Sequence, residues 1–139
     1  MTDNDLERFK KAQELDFATA LAEIRNGRKV SHWMWYIFPQ LAGLGMSSTS
    51  QYYGIRDLEE AKAYLEDEYL RDHLMTICEA LLSLDTSDAL AVFGRPDNMK
   101  LRSSMTLFAQ ASDNDIFQKV LEKYFEGKMD GRTVKMLQK

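Results

Sequence analysis

The chain has 139 residues, 45% hydrophobic and 29% charged, with 7 Gly and 2 Pro. This fits one domain, 1–139, that buries its own core without disulfides or a structural metal, and it excludes a disordered or low-complexity chain. A net charge of −4 argues against bulk nucleic acid as a partner while leaving room for a small anionic ligand, the single Cys78 excludes an internal disulfide, and the acidic, polar start with no long apolar run predicts a cytoplasmic protein without signal peptide or membrane span.

In chain order, Phe9, Gln13, Phe17, Ala20, Leu21 and Ile24 recur at helical spacing, which predicts a helix from about Asp5 to Arg25 that stops at Asn26-Gly27. From about residue 28 to residue 56 the pattern breaks. The segment is aromatic-rich (His32 to Pro39), then Gly-rich, then hydroxyl-rich (Ser47 to Ser50), and is expected to be irregular, with at most a short strand or helical turn inside. Asp57-x-x-Glu60 has capping-box spacing and opens a short helix to about Leu65. Asp67 caps a helix that carries Leu70, Leu74, Ile77, Cys78, Leu81 and Leu82 on one face. Thr86 starts a short helix ending at Gly94. Asp97 caps another, bearing Leu101, Ser104, Met105 and Phe108. Ser112 to Asp115 signals a helix that Gly127 ends, and a last turn or two follows Asp130. The expected fold is mainly α: a compact multihelical array of six or so separately capped helices.

Little in this chain matches a known catalytic motif. Zinc-binding His/Cys spacing, a serine-hydrolase elbow, a dinucleotide fingerprint and a P-loop are all missing, so no metal or cofactor is implied. Cys78 on an apolar face reads as core packing. His32 opens the aromatic run, where a structural hydrogen bond is the simpler role. The run places both tryptophans, Trp33 and Trp35, within three residues. Aromatic faces at that spacing either pack a core or stack on a flat base. Ser47 to Ser50 offers hydroxyls to a phosphate or forms a polar loop. Lys100, Arg102, Ser103 and Ser104 lie in the first turns of a helix, where cations and hydroxyls add to the positive end of the dipole. That arrangement is either an anion site or a solvated face.

The segments Gly27 to Gln40 and Lys100 to Phe108, with Gln51-Tyr52-Tyr53-Gly54-Ile55 between them and Tyr124-Phe125-Glu126-Gly127 near the end, resemble the domain of unknown function 1810 family over nearly the whole chain. That family is similar, more remotely, to the YbiA-like superfamily, a helical fold with a branch linked to ADP-ribose chemistry and N-glycosidic bond cleavage. The resemblance implies a nucleotide-sugar pocket. Thr49-Ser50-Gln51-Tyr52-Tyr53 looks like that branch's Thr-Ala-Glu-His-Tyr motif, which puts Gln51 in the position of its catalytic glutamate. A carboxylate stabilises the cationic ribose formed in such cleavage, and a neutral amide does not act as a base.

The resulting expectation is a site for ADP-ribose or a related nucleotide-sugar N-glycoside, bound or hydrolysed. His32, Trp33, Trp35, Ser50 and Tyr53 are expected to contact the ligand, Gln51 to hydrogen-bond sugar or base at the catalytic position, and Lys100, Arg102, Ser103 and Ser104 to face the phosphates. The alternative is a non-catalytic protein-interaction or regulatory module with the aromatic run as its patch. The direction in which Trp33 and Trp35 point separates the two.

Overall fold

The apolar stripe of the first segment folds as α1, Glu7–Arg25, in the computed structural model, which describes residues 6–138. Asp5, the expected start of this helix, lies outside the described residues. Phe9, Gln13, Ala20 and Ile24 are buried along α1, and Gly27, at φ 79°, takes the left-handed conformation that ends it. Gln13 is the one polar side chain on that stripe, and its burial is satisfied. Its amide nitrogen donates to the Tyr36 carbonyl at 2.8 Å and to the Tyr64 hydroxyl at 2.9 Å, and its amide oxygen lies 2.9 Å from His73 Nδ1.

The segment after α1 is more ordered than its composition predicts. It holds a single turn, α2 (Met34–Ile37), and a short helix, α3 (Ser48–Tyr53), which Ser47 caps by accepting from the Ser50 N–H. Leu41 and Ile55 form an isolated parallel bridge, with the Ala42 N–H donating to the Ile55 carbonyl at 2.8 Å and the Ile55 N–H to that of Gln40 at 2.9 Å. Gly54 permits this approach, because a Cβ there would lie 2.5 Å from the Ala42 Cα.

The remaining elements are α4 (Leu58–Glu66), α5 (Glu68–Ser83), α6 (Ala89–Phe93), α7 (Asp97–Ala111), α8 (Ile116–Phe125) and α9 (Gly131–Leu137). Asp57 and Asp67 cap α4 and α5 as their spacing predicts. Two helix starts, those of α6 and α7, differ. Asp88, not Thr86, caps α6, while Thr86 accepts from the Asp88 N–H. Asp97 lies in the first turn of α7, and Pro96, which follows a cis peptide bond, holds the cap position without a capping side chain. The start of α8 lies where the Ser112 to Asp115 signal puts it, with Asn114 accepting the Ile116 N–H.

Among the described residues there are nine helices and no strand, and no helix is long and apolar enough to cross a membrane. The helix α7 is the hub. It packs against α4, α6, α8 and α9, while α1 packs against α5 and α2. The buried side chains form one continuous core, with Trp33, Phe38, Tyr64, Phe108 and Phe117 among its largest members.

Candidate functional site

The aromatic run is held in place from α1. Glu23 accepts hydrogen bonds from the Val30 N–H (2.8 Å), the Ser31 N–H (2.9 Å), the Ser31 hydroxyl (2.6 Å) and the Trp33 indole N–H (2.9 Å). Partial burial pushes its carboxyl pKa upward, but the donors from Ser31, Val30 and Trp33 outweigh this and hold it down to about 2. On the other side, the Lys29 ammonium lies 5.0 Å from the Trp33 ring centroid, pairs with Asp97 at 2.8 Å and donates to the Ser31 carbonyl. The two partners fix the chain direction at residue 33, so that α2 presents Met34 and Ile37 inward and leaves Trp35 and Tyr36 partly exposed.

A cleft opens where α2, α3 and α7 meet. It is lined by Met34, Trp35, Phe38, Gln40, Ser50, Tyr53, Gly54 and Lys100 and is narrow, with a volume of about 10 Å³, the room one water needs. Four residues singled out in the sequence come together here: Trp35, Ser50, Tyr53 and Lys100. The Lys100 ammonium lies 5.4 Å from the Trp35 ring centroid and 3.7 Å from an Asp97 oxygen. Tyr53 is packed by Tyr36 (centroids 5.0 Å apart) and Tyr52 (4.8 Å). Burial first, and then the neighbouring Tyr52, push its phenol pKa above the ordinary value, so it is a neutral hydroxyl donor at neutral pH. The backbone at Gly45 closes one side, since a Cβ there would lie 2.5 Å from the Ser50 hydroxyl.

The other expected site residues are placed elsewhere, for physical reasons. Trp33 is 1% exposed and belongs to the core, tilted against Phe38 and edge-on to Phe93, so it walls no pocket. His32 is exposed, and its carbonyl accepts from the Tyr36 hydroxyl. Gln51 is exposed on the outer face of α3, where its amide donates to the Met46 carbonyl at 3.2 Å. Arg102 points away from the cleft, with Nε and Nη2 donating to the carbonyls of Lys128 (3.0 Å) and Met129 (2.7 Å). The Ser103 hydroxyl reaches Asp130 at 3.1 Å and the Met99 carbonyl. Ser104 is fully buried, with no hydrogen-bond partner for its hydroxyl among the described residues. One turn of α7 therefore splits its polar residues by angle. Lys100 faces the cleft, whereas Arg102 and Ser103 tie α7 to the segment before α9.

None of the residues lining the cleft is a carboxylate. Asp57 caps α4, and Asp97 is paired with Lys29 and Lys100. Asp16 accepts a hydrogen bond from the Tyr36 hydroxyl and is not among the lining residues. Cys78 is fully buried against Met105, and burial drives its thiol pKa well above the ordinary value, which keeps it unreactive. No group of three or more His, Cys, Asp or Glu suited to a metal is gathered among the described residues.

The architecture and the two signature segments meet at this cleft, and comparison with known proteins agrees with them. The family described as "Protein of unknown function (DUF1810)" matches residues 3–137. The chain belongs to the DUF1810 family. It is also similar to the conserved hypothetical protein Rv1873 from Mycobacterium tuberculosis, whose crystal structure superposes with a TM-score of 0.95 at 45% identity, covering 97% of each chain. No curated protein matches the chain. The cleft draws on both family-like segments, since Met34, Trp35, Phe38 and Gln40 come from the first and Lys100 from the second. Sequence reasoning missed Gln40 and the apolar floor of Met34 and Phe38. Gln40 adjoins Pro39 at the end of the aromatic run, a polar residue directly after a buried stretch, and that juxtaposition was the available signal.

Proposed function

We propose that the cleft between α2, α3 and α7, narrow at rest, opens by side-chain movement to bind a nucleotide-sugar of the ADP-ribose class. The observation that carries this reading is the convergence of Trp35, Ser50, Tyr53 and Lys100, from three separate stretches of chain, on one concave site. Each supplies what such a ligand needs. Trp35 offers a partly exposed aromatic face for the base, Lys100 a cation for a phosphate, and Ser50, Tyr53 and Gln40 hydrogen-bonding groups for ribose hydroxyls. The similarity of residues 49–53 to the motif of the YbiA-like branch supports the same ligand class, although fold likeness does not determine function.

Binding without cleavage is the form of the proposal. Cleaving an N-glycosidic bond develops positive charge on the ribose, which a carboxylate stabilises. The lining residues include none, and Gln51 points away from the cleft. The position of Trp35 in a concavity, with Trp33 in the core, favours a ligand site over a flat partner surface.

Isothermal titration with ADP-ribose tests the reading. The wild type is expected to bind saturably. Trp35→Ala is expected to weaken binding roughly 5- to 150-fold, the range for losing one base–aromatic stack. Arg102→Ala, whose guanidinium is occupied by backbone carbonyls, is expected to leave affinity unchanged. No saturable heat up to millimolar ligand sinks the proposal. It would move attention to a partner protein at exposed Met46 and Tyr52 beside the cleft, 83% and 61% exposed.

A further inference from the structure

The aromatic face that a ligand base needs already has an occupant. The Lys100 ammonium sits over Trp35, 5.4 Å from the ring centroid, and both side chains line the same cleft. A planar ring and an ammonium do not share one ring face, so a base stacks on the Lys100-covered face of Trp35 only after Lys100 has moved.

From this geometry we infer that Lys100 is an exchangeable cation that selects for phosphate-bearing ligands, swapping the face of Trp35 for the ligand's phosphate as the base takes its place. The inference rests on the nucleotide-sugar reading of the cleft. Three features carry it further. The Lys100 side chain is 22% exposed, so its flexible stem has solvent to move through, whereas the neighbouring Lys29 is 7% exposed and fixed under Trp33. Asp97 holds Lys100 at 3.7 Å but Lys29 at 2.8 Å, so the carboxylate keeps its closer partner when Lys100 leaves. Finally, the displaced ammonium needs a new counter-charge. A phosphate linked to the stacking ring supplies one within reach, and an uncharged nucleoside does not. The resting cation–π contact therefore handicaps neutral ring compounds and is repaid only by anionic ones, which makes the lysine a specificity device through what it opposes.

The test compares ADP-ribose with adenosine on the wild type and on Lys100→Met, which keeps the stem and removes the charge. Both proteins are first matched by thermal melting. In the wild type ADP-ribose binds and adenosine binds far more weakly. Lys100→Met is expected to weaken ADP-ribose binding about 10-fold or more, the scale of a lost charge-assisted hydrogen bond. The same variant is expected to tighten adenosine binding about 2- to 5-fold, the scale of a released exposed cation–π contact. These opposite signs are the expected result, because a lysine that only shapes the cleft changes both ligands in the same direction. Equal weakening of both, or no change in either, overturns the exchange and leaves the binding site standing. Failure of both ligands on both proteins overturns the nucleotide-sugar reading together with the exchange.

Discussion

The Trp33 indole N–H donates to Glu23 Oε1 at 2.9 Å, and this bond joins the last turns of α1 to the start of the aromatic run. The same carboxylate satisfies both backbone N–H groups at residues 30 and 31, so one side chain sets the path into α2. Removing it by Glu23→Ala strands the donor of a buried indole, and is expected to destabilise the fold by roughly 2–4 kcal/mol, since each unsatisfied buried group costs about 1–3 kcal/mol. Acid has the same effect in stages. The carboxyl pKa is 4.5 in the unfolded reference and about 2 in the folded protein. The stabilisation is therefore complete above pH 4.5 and is lost as the pH falls through the folded value. Urea melts of wild type and Glu23→Gln between pH 2 and pH 7 check this. The two proteins should differ most at neutral pH and converge at the acid end.

Gly54 faces the Ala42 backbone so closely that a Cβ would come within 2.5 Å of the Ala42 Cα and 2.7 Å of its Cβ. Backbone does not swing aside as a flexible side chain does. Gly54→Ala is therefore expected to push the Leu41–Ile55 bridge apart and cost about 1–3 kcal/mol, the range for overpacking. The measurement is a denaturant midpoint, read beside Gly131→Ala, where an added Cβ meets nothing within 4 Å. A similar loss in both would mean that the close approach is not what requires glycine at position 54.

These two contacts also explain how much the sequence revealed. Periodicity and capping residues located α1, α4 and α5 well, because Phe9 to Ile24 and Leu70 to Leu81 repeat at helical spacing and Asp57 and Asp67 are local caps. The helical class followed from such local signals. Residues 28–56 looked irregular because α2 and α3 have 4 and 6 residues, too short to show a period, and because their order comes from distant partners such as Glu23 and Gly54. The candidate site was half legible for the same reason. Residue types identified Trp35, Ser50, Tyr53 and Lys100, but the angle around α7 decides that Lys100 faces the cleft while Arg102 turns to the Lys128 and Met129 carbonyls. Trp33 and Trp35 have identical chemistry, and distant contacts, the hydrogen bond to Glu23 and the packing on Phe93, set Trp33 as the interior one.

Arg8 and Glu60 form a nearly buried ion pair, 10% and 3% exposed at the side chains, with Nη1 and Oε2 3.4 Å apart. The arginine also donates to the carbonyls of Tyr52 (2.7 Å) and Gly54 (2.9 Å), so it clamps α1 to the end of α3, while Glu60 accepts the Arg56 N–H at 2.8 Å. Arg8→Met leaves the Glu60 carboxylate with only the more exposed Arg56 guanidinium, 3.8 Å away, as counter-charge, and is expected to cost about 1–3 kcal/mol. The double variant Arg8→Met/Glu60→Leu removes both charges and is expected to lose less than the sum of the single changes. A double-mutant cycle by chemical denaturation should yield a coupling of roughly 1–3 kcal/mol. Simple additivity would show that the pair is held by its surroundings and contributes no coupling of its own.

The two tryptophans offer the most direct check on the cleft, because the ligand reading needs one of them accessible and the other not. Trp33 is 1% exposed, within the core and bonded to Glu23, whereas Trp35 is partly exposed and covered on one face by Lys100. Trp35→Phe leaves Trp33 as the sole indole. Its emission should shift to shorter wavelength relative to the wild type, and acrylamide quenching should fall several-fold, since an indole packed among Phe38 and Phe93 meets little solvent. Lys100→Met should change the emission of the wild-type background but not that of Trp35→Phe, because the ammonium lies over Trp35 alone. If Trp35→Phe quenches as readily as the wild type, Trp33 is reachable from solvent, the aromatic run is seated differently on α1, and the cleft loses the wall on which the proposed base stacks.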